Sequence, residues 1–128
     1  MYILVTHREM DESGVFGSEK EVAIVDVPNE LHGDTIKCLS YAFRWTNNVD
    51  GSWSKPRTFQ LSNGEFIHDN GDYNERCNFI AEAHPEGYGE RSTSVGDLMT
   101  IRLDDGTATF EVMPNGFRRL YHLDEFTQ

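Results

Sequence analysis

The stretch SVGDLMTIRLDDGTATFEVMPNGFRRLYHL (Ser94–Leu123) decides the fold. Ser94-Val95-Gly96-Asp97 reads as a tight turn delivering the chain into a strand over Leu98–Leu103. Asp104-Asp105-Gly106 reverses the chain, Thr107–Met113 returns, and Pro114-Asn115-Gly116 turns it again before Phe117–Leu123. Met99, Ile101, Leu103, Phe110 and Val112 alternate with polar residues, so one face of this β-meander is apolar. Sequence-adjacent strands joined by short turns predict antiparallel pairing.

Outward from this block, Tyr2–Arg8 is rich in β-formers and Glu21–Val27 (EVAIVDV) predicts a second strand. Pro28 ends it, because proline has no N–H for a ladder. The polar, glycine-punctuated stretch Glu9–Lys20 reads as a loop. Thr35–Asn47 carries the helical period: Ile36, Leu39, Ala42, Phe43 and Thr46 form the expected buried stripe, with Asp34 as N-cap. Trp53 follows the helix end and is placed to fold back over it. Asn63-Gly64 joins Thr58–Leu61 to Glu65–His68 as a hairpin. Arg76–Ala83 predicts a strand with Cys77, Phe79 and Ala81 on one face, with a helix as the alternative because of its Ala and Glu residues. The expected fold is α+β: a small, mainly antiparallel sheet packed by one principal helix at about 35–47. It forms a single domain over residues 1–128, the size of one core.

Composition narrows the function classes. The net charge is −11, and the acid is concentrated. Glu9–Asp34 holds eight acidic residues against Lys20, and Glu65–Glu90 holds seven against Arg76. Such a field repels phosphate backbones, so direct nucleic-acid binding is disfavoured. No apolar run is long enough to span a bilayer, and Met1–Glu9 lacks the h-region of a secretory signal, so a cytoplasmic protein is expected. Cys38 and Cys77 are expected as reduced packing residues.

Two segments carry a family resemblance. LSYAFRWTNNVDGSWS (Leu39–Ser54) is a helix ending in Thr-Asn followed by Ser-Trp, and ERSTSVGDLMTI (Glu90–Ile101) precedes FEVMPNGFRRL (Phe110–Leu120). Together they resemble small uncharacterised proteins encoded by actinobacterial phages and related mobile elements. The second segment is also similar to a YodL-like segment, in which Arg-Ser-x-Ser-Val-Gly-Asp leads into a hairpin. The resemblance implies a genetic context and expression in a host cytoplasm; it implies no activity.

Chemistry-bearing residues are sparse. A serine nucleophile needs an adjacent, oriented base, and no glycine elbow surrounds Ser92 or Ser94, although His84 is near in sequence. Arg91, Ser92, Ser94, Gly96 and Asp97 are better read as a turn tied down by side-chain hydrogen bonds, with Trp53 and Asn47 as helix-end structure. The five histidines show no zinc spacing and the acidic loop Asp69–Glu75 lacks a calcium-loop pattern; no metal and no cofactor is expected. Trp45, Trp53, Arg44, Lys55 and Arg57 form an aromatic-basic cluster, read first as structure.

The expected function is that of a small acidic accessory protein that binds and modulates a host protein, including a defence or nucleic-acid-handling factor. Asp11, Glu12, Asp69, Asp72, Glu75, Glu82, Glu86 and Glu90 are the expected binding carboxylates, acting by phosphate mimicry. The alternative is a nucleic-acid-binding β-module; a small hydrolase or transferase using Ser92, Ser94 or His84 ranks third.

Overall fold

The structure, a computed structural model, describes residues 1–121. In chain order its elements are β1 (Tyr2–Met10), β2 (Phe16–Asp26), α1 (Thr35–Trp45), β3 (Phe59–Gln60), β4 (Phe66–Ile67), β5 (Cys77–Phe79), β6 (Leu98–Leu103), β7 (Gly106–Met113) and β8 (Gly116–Leu120). Six strands form one sheet in the order β5-β2-β1-β6-β7-β8, and every neighbouring pair is antiparallel. β3 and β4 pair separately as a short hairpin. Among the described residues the architecture is thus a mainly antiparallel six-stranded sheet with one α-helix. No helix among the described residues is long and apolar enough to cross a membrane.

Alternation sets the core face. Ile3 and Val5 of β1, Met99 and Ile101 of β6, and Ala108, Phe110 and Val112 of β7 are buried together with Cys38, Leu39 and Ala42 of α1. Each large aliphatic buried this way contributes about 1.5–3 kcal/mol. The opposite face keeps a half-buried row running Ile24–Leu4–Thr100–Thr109–Leu120 across five strands. Within it the Thr100 and Thr109 hydroxyls lie 3.0 Å apart.

Three local departures from the sequence reading have physical causes. β1 and β2 extend into the polar stretch expected as a loop, forming a long ribbon to Met10 and from Phe16. A register shift between Val5 and Thr6 pairs Val5 with Ala23 and Thr6 with Glu21. Val22 is the extra residue, so Val22 and Ala23 are both buried despite being consecutive. On α1 the buried stripe is Cys38, Leu39, Ala42 and the capping Thr46, while Ile36 is 55% exposed. The helix stops at Trp45 because Thr46 Oγ1 donates to the Ala42 carbonyl at 2.8 Å and Asn47 Nδ2 donates to the Phe43 carbonyl. Asp34 does cap the start, accepting from Lys37 N at 3.1 Å. His122 and Leu123, expected at the end of the last strand, lie outside the described residues.

Candidate functional site

The RSTSVGD segment immediately precedes β6 and lies against Arg8 of β1. Asp97 is 1% exposed, and its carboxylate accepts from four donor atoms. Arg91 Nη1 and Nη2 reach it at 2.7 and 2.9 Å, Arg8 N at 2.9 Å and Ser94 N at 2.8 Å. Burial pushes the Asp97 carboxyl up, but these donors outweigh it and hold it below the usual aspartate range. Gly96 sits at φ +95°, and a Cβ there would lie 2.7 Å from Phe16 Cζ. That close approach, together with the left-handed backbone, makes glycine necessary at the turn. Arg8 lies over the Phe16 ring at 3.9 Å and donates to the Gly96 carbonyl at 2.6 Å, closing the lock from the β1 side.

Beneath the lock lies a polar chain inside the core. His7 continues the inward register of Ile3 and Val5 and is fully buried. Its Nδ1 lies 3.1 Å from Glu90 Oε1, and its Nε2 lies 2.9 Å from Thr93 Oγ1 and 3.8 Å from Asp97 Oδ2. The Thr93 hydroxyl donates to Thr46 Oγ1 at 2.8 Å, linking β1 to the end of α1. Trp53 packs edge-on against His7 and Phe79, with its Nε1 donating to the Arg91 carbonyl at 2.8 Å. Burial pushes the His7 imidazole below its ordinary value, against the opposing pull of Asp97 and Glu90. Glu90 in turn holds Lys20 at 2.8 Å; burial would raise its carboxyl, but Lys20 and His7 hold it low.

Glu90–His7–Thr93 has the connectivity of a carboxylate–imidazole–hydroxyl relay. Thr93 is only 2% exposed, however, and its hydroxyl points at Thr46. A nucleophile must meet substrate, so this chain organises structure. Only Glu90 reaches a surface, in an open cleft of about 610 Å³ shared with Lys20, Glu82, His84, Tyr88 and Arg91.

Asp72 forms a second internal site. It is fully buried, and its Oδ2 accepts from the amides of Val49, Asp50 and Gly51 at 2.8, 2.8 and 2.6 Å. Arg44 Nη2 stands 3.2 Å from Oδ1. Burial pushes this carboxyl up and the three amides, with Arg44, bring it below the ordinary range. The carboxylate thus organises the loop that follows α1.

The expected binding carboxylates therefore divide. Asp72 is not a surface group at all, since three amides and a guanidinium draw it inward, and Glu90 is largely enclosed by His7 and Lys20. Asp11 is exposed and caps its own turn, accepting from Ser13 N and Val15 N at 2.9 and 3.0 Å. Glu12, Asp69, Glu75, Glu82 and Glu86 are exposed and form no ion pair among the described residues. Asp69 stands at φ +55°.

The hydroxyls considered as nucleophiles are occupied locally: Ser92 Oγ accepts from Asn48 N at 2.9 Å, and Ser94 Oγ donates to the Ser92 carbonyl at 3.2 Å. His84 Nδ1 accepts from Glu86 N at 3.2 Å, and its ring leans on Tyr88. Both cysteines are free thiols; burial pushes Cys77 up to about 12 and also raises Cys38, which disfavours the thiolate. Among the described residues no three His, Cys, Asp or Glu side chains gather to hold a metal.

Sequence reasoning missed His7, Thr46, Thr93 and Arg8 as members of this network. One signal was available for His7: a polar residue at an inward strand position, two after Val5. Compared with family models, curated proteins and solved structures, the chain matches none.

Proposed function

We propose that this is a small phage or mobile-element accessory protein of the host cytoplasm, which binds and modulates a host protein through exposed carboxylates. The observation that carries this reading is the adjacency of the two acid-rich segments. β5 pairs with β2, Arg76 bridges to Asp26 at 3.3 Å, Lys20 joins Glu90 and Arg91 approaches Glu9 at 3.7 Å. Exposed Glu19 and Glu21 flank Lys20 and exposed Glu75 precedes Arg76 in the chain, and Glu82 shares a cleft with Lys20 and Arg91.

Carboxylates accept paired arginine hydrogen bonds much as phosphate does, so such an edge suits a basic, nucleic-acid-handling groove. Asp72 and Glu90 are structural supports in this proposal, and the contact falls to Glu82, Glu86 and the ribbon tip at Asp11 and Glu12. The test is affinity capture from host lysate at two salt concentrations, followed by competition with nucleic acid. Capture that weakens steeply with salt and is displaced by nucleic acid supports the reading. Salt-insensitive association that leaves the target's DNA binding untouched eliminates it.

A further inference from the structure

The opposite edge of the sheet has a different character. β8 is the terminal strand, and among the described residues no strand pairs with its outer side. Arg118 and Arg119 are both exposed there. Glu111 on the neighbouring strand takes ion pairs from both Arg8 and Arg118, while β8 itself carries two arginines and no acid. On a chain of net charge −11 this is a local reversal of sign.

Beside the strand, an apolar cleft of about 500 Å³ opens between α1 and the β7–β8 hairpin, lined by Phe43, Arg44, Val49, Val112, Met113 and Phe117. Phe117 pairs with the core residue Val112 and forms an edge-on contact with Phe43 at 6.4 Å between centroids. Alternation therefore puts Phe117 and Arg119 on the helix side of β8, and Arg118, opposite Glu111, on the other.

We propose that the β8 edge accepts one extended, acidic segment of a partner protein as a seventh strand. Main-chain hydrogen bonds to the open edge provide the attachment, and alternate side chains provide the selection. The register specifies the partner's chemistry: a large apolar side chain against Phe117 enters the cleft, and the next two positions are acidic, opposite Arg118 and Arg119. This surface goes beyond the acidic-edge reading above, because it takes a partner of opposite charge at the far side of the sheet.

The test uses the full chain and a fluorescent extended peptide containing an apolar-acid-acid core, read by anisotropy. Three controls accompany it: a peptide with lysines in place of the acids, and two peptides N-methylated at alternate positions. Saturable binding is expected, with R118E and R119E each weakening it by about tenfold. Only one N-methylated set should abolish binding, because successive amides of a strand point to opposite sides. Circular dichroism of both variants establishes that they remain folded. Equal binding of the lysine peptide, indifference to both N-methylated sets, or no saturation would overturn the proposal. So would concentration-dependent self-association of the chain that the peptide fails to reverse, since the edge would then belong to a second copy.

Discussion

The two long edges of the sheet are built on opposite plans. At β8 the strands are joined by turns of a few residues, each strand pairs with its sequence neighbour, and the surface is basic beside an apolar cleft. At β5 the strand is three residues long and sits among acid-rich loops. Near that side, contacts spanning 70 to 89 residues, such as Lys20–Glu90 and Arg8–Asp97, tie the loops to the ribbon. One edge is held by local hairpins and the other by long-range polar contacts. An open sheet must manage both edges, and charge is a common device for doing so. Here the sign of that charge differs from one edge to the other.

Removing Asp97 should break the polar-held side most severely. D97A leaves two buried-side amides and the Arg91 guanidinium without their acceptor and should cost about 3 kcal/mol, seen as a lowered urea midpoint. A loss below about 0.5 kcal/mol would mean that the lock is not what holds this side. G96A comes next: the positive φ and the Phe16 ring oppose any Cβ, for a cost of about 2 kcal/mol. At the hairpin-held edge, by contrast, R119Q, at an exposed position with no ion pair among the described residues, should change stability by no more than about 0.5 kcal/mol.

Acid titration sharpens the same contrast. The folded-state pKa of His7 is depressed, so its contribution is fully present above the ordinary value of 6.5 and is lost as pH falls below it, through the folded pKa. Glu90 and Asp97 are depressed carboxylates; their contribution is present above 4.5 and 3.8 respectively and is lost as pH falls further. Urea midpoints against pH should therefore decline in two stages. H7Q should abolish the first stage and retain the second. A wild-type midpoint flat from pH 7 to the carboxylate range would contradict the burial of a neutral imidazole.

The legibility of the sequence follows the same division. Leu98–Leu103, Thr107–Met113 and the Asn63-Gly64 hairpin are encoded by alternation and turn residues within a few positions, so local reading suffices. Asp34 and the helix start were equally local. The outer ribbon, Glu9–Met10 with Phe16–Lys20, was not, because its residues are mostly exposed and carry no apolar alternation; only pairing across β1 and β2 makes them strands. Ile36 was misplaced because the helix presents Cys38 and Thr46 to the sheet, an orientation fixed by tertiary packing. Asp72 and Glu90 look like any other loop acids until the fold brings three amides to one and an imidazole to the other.

The most direct measurement is capture of the host target by the wild-type chain and by E82K/E86K, each at low and high salt. Both glutamates are exposed and unpaired among the described residues, so the variant should remain folded. The account predicts strong low-salt capture by the wild type, steep loss at high salt, and little capture by the variant at either. Capture equal for both proteins and indifferent to salt would contradict a carboxylate-mediated contact.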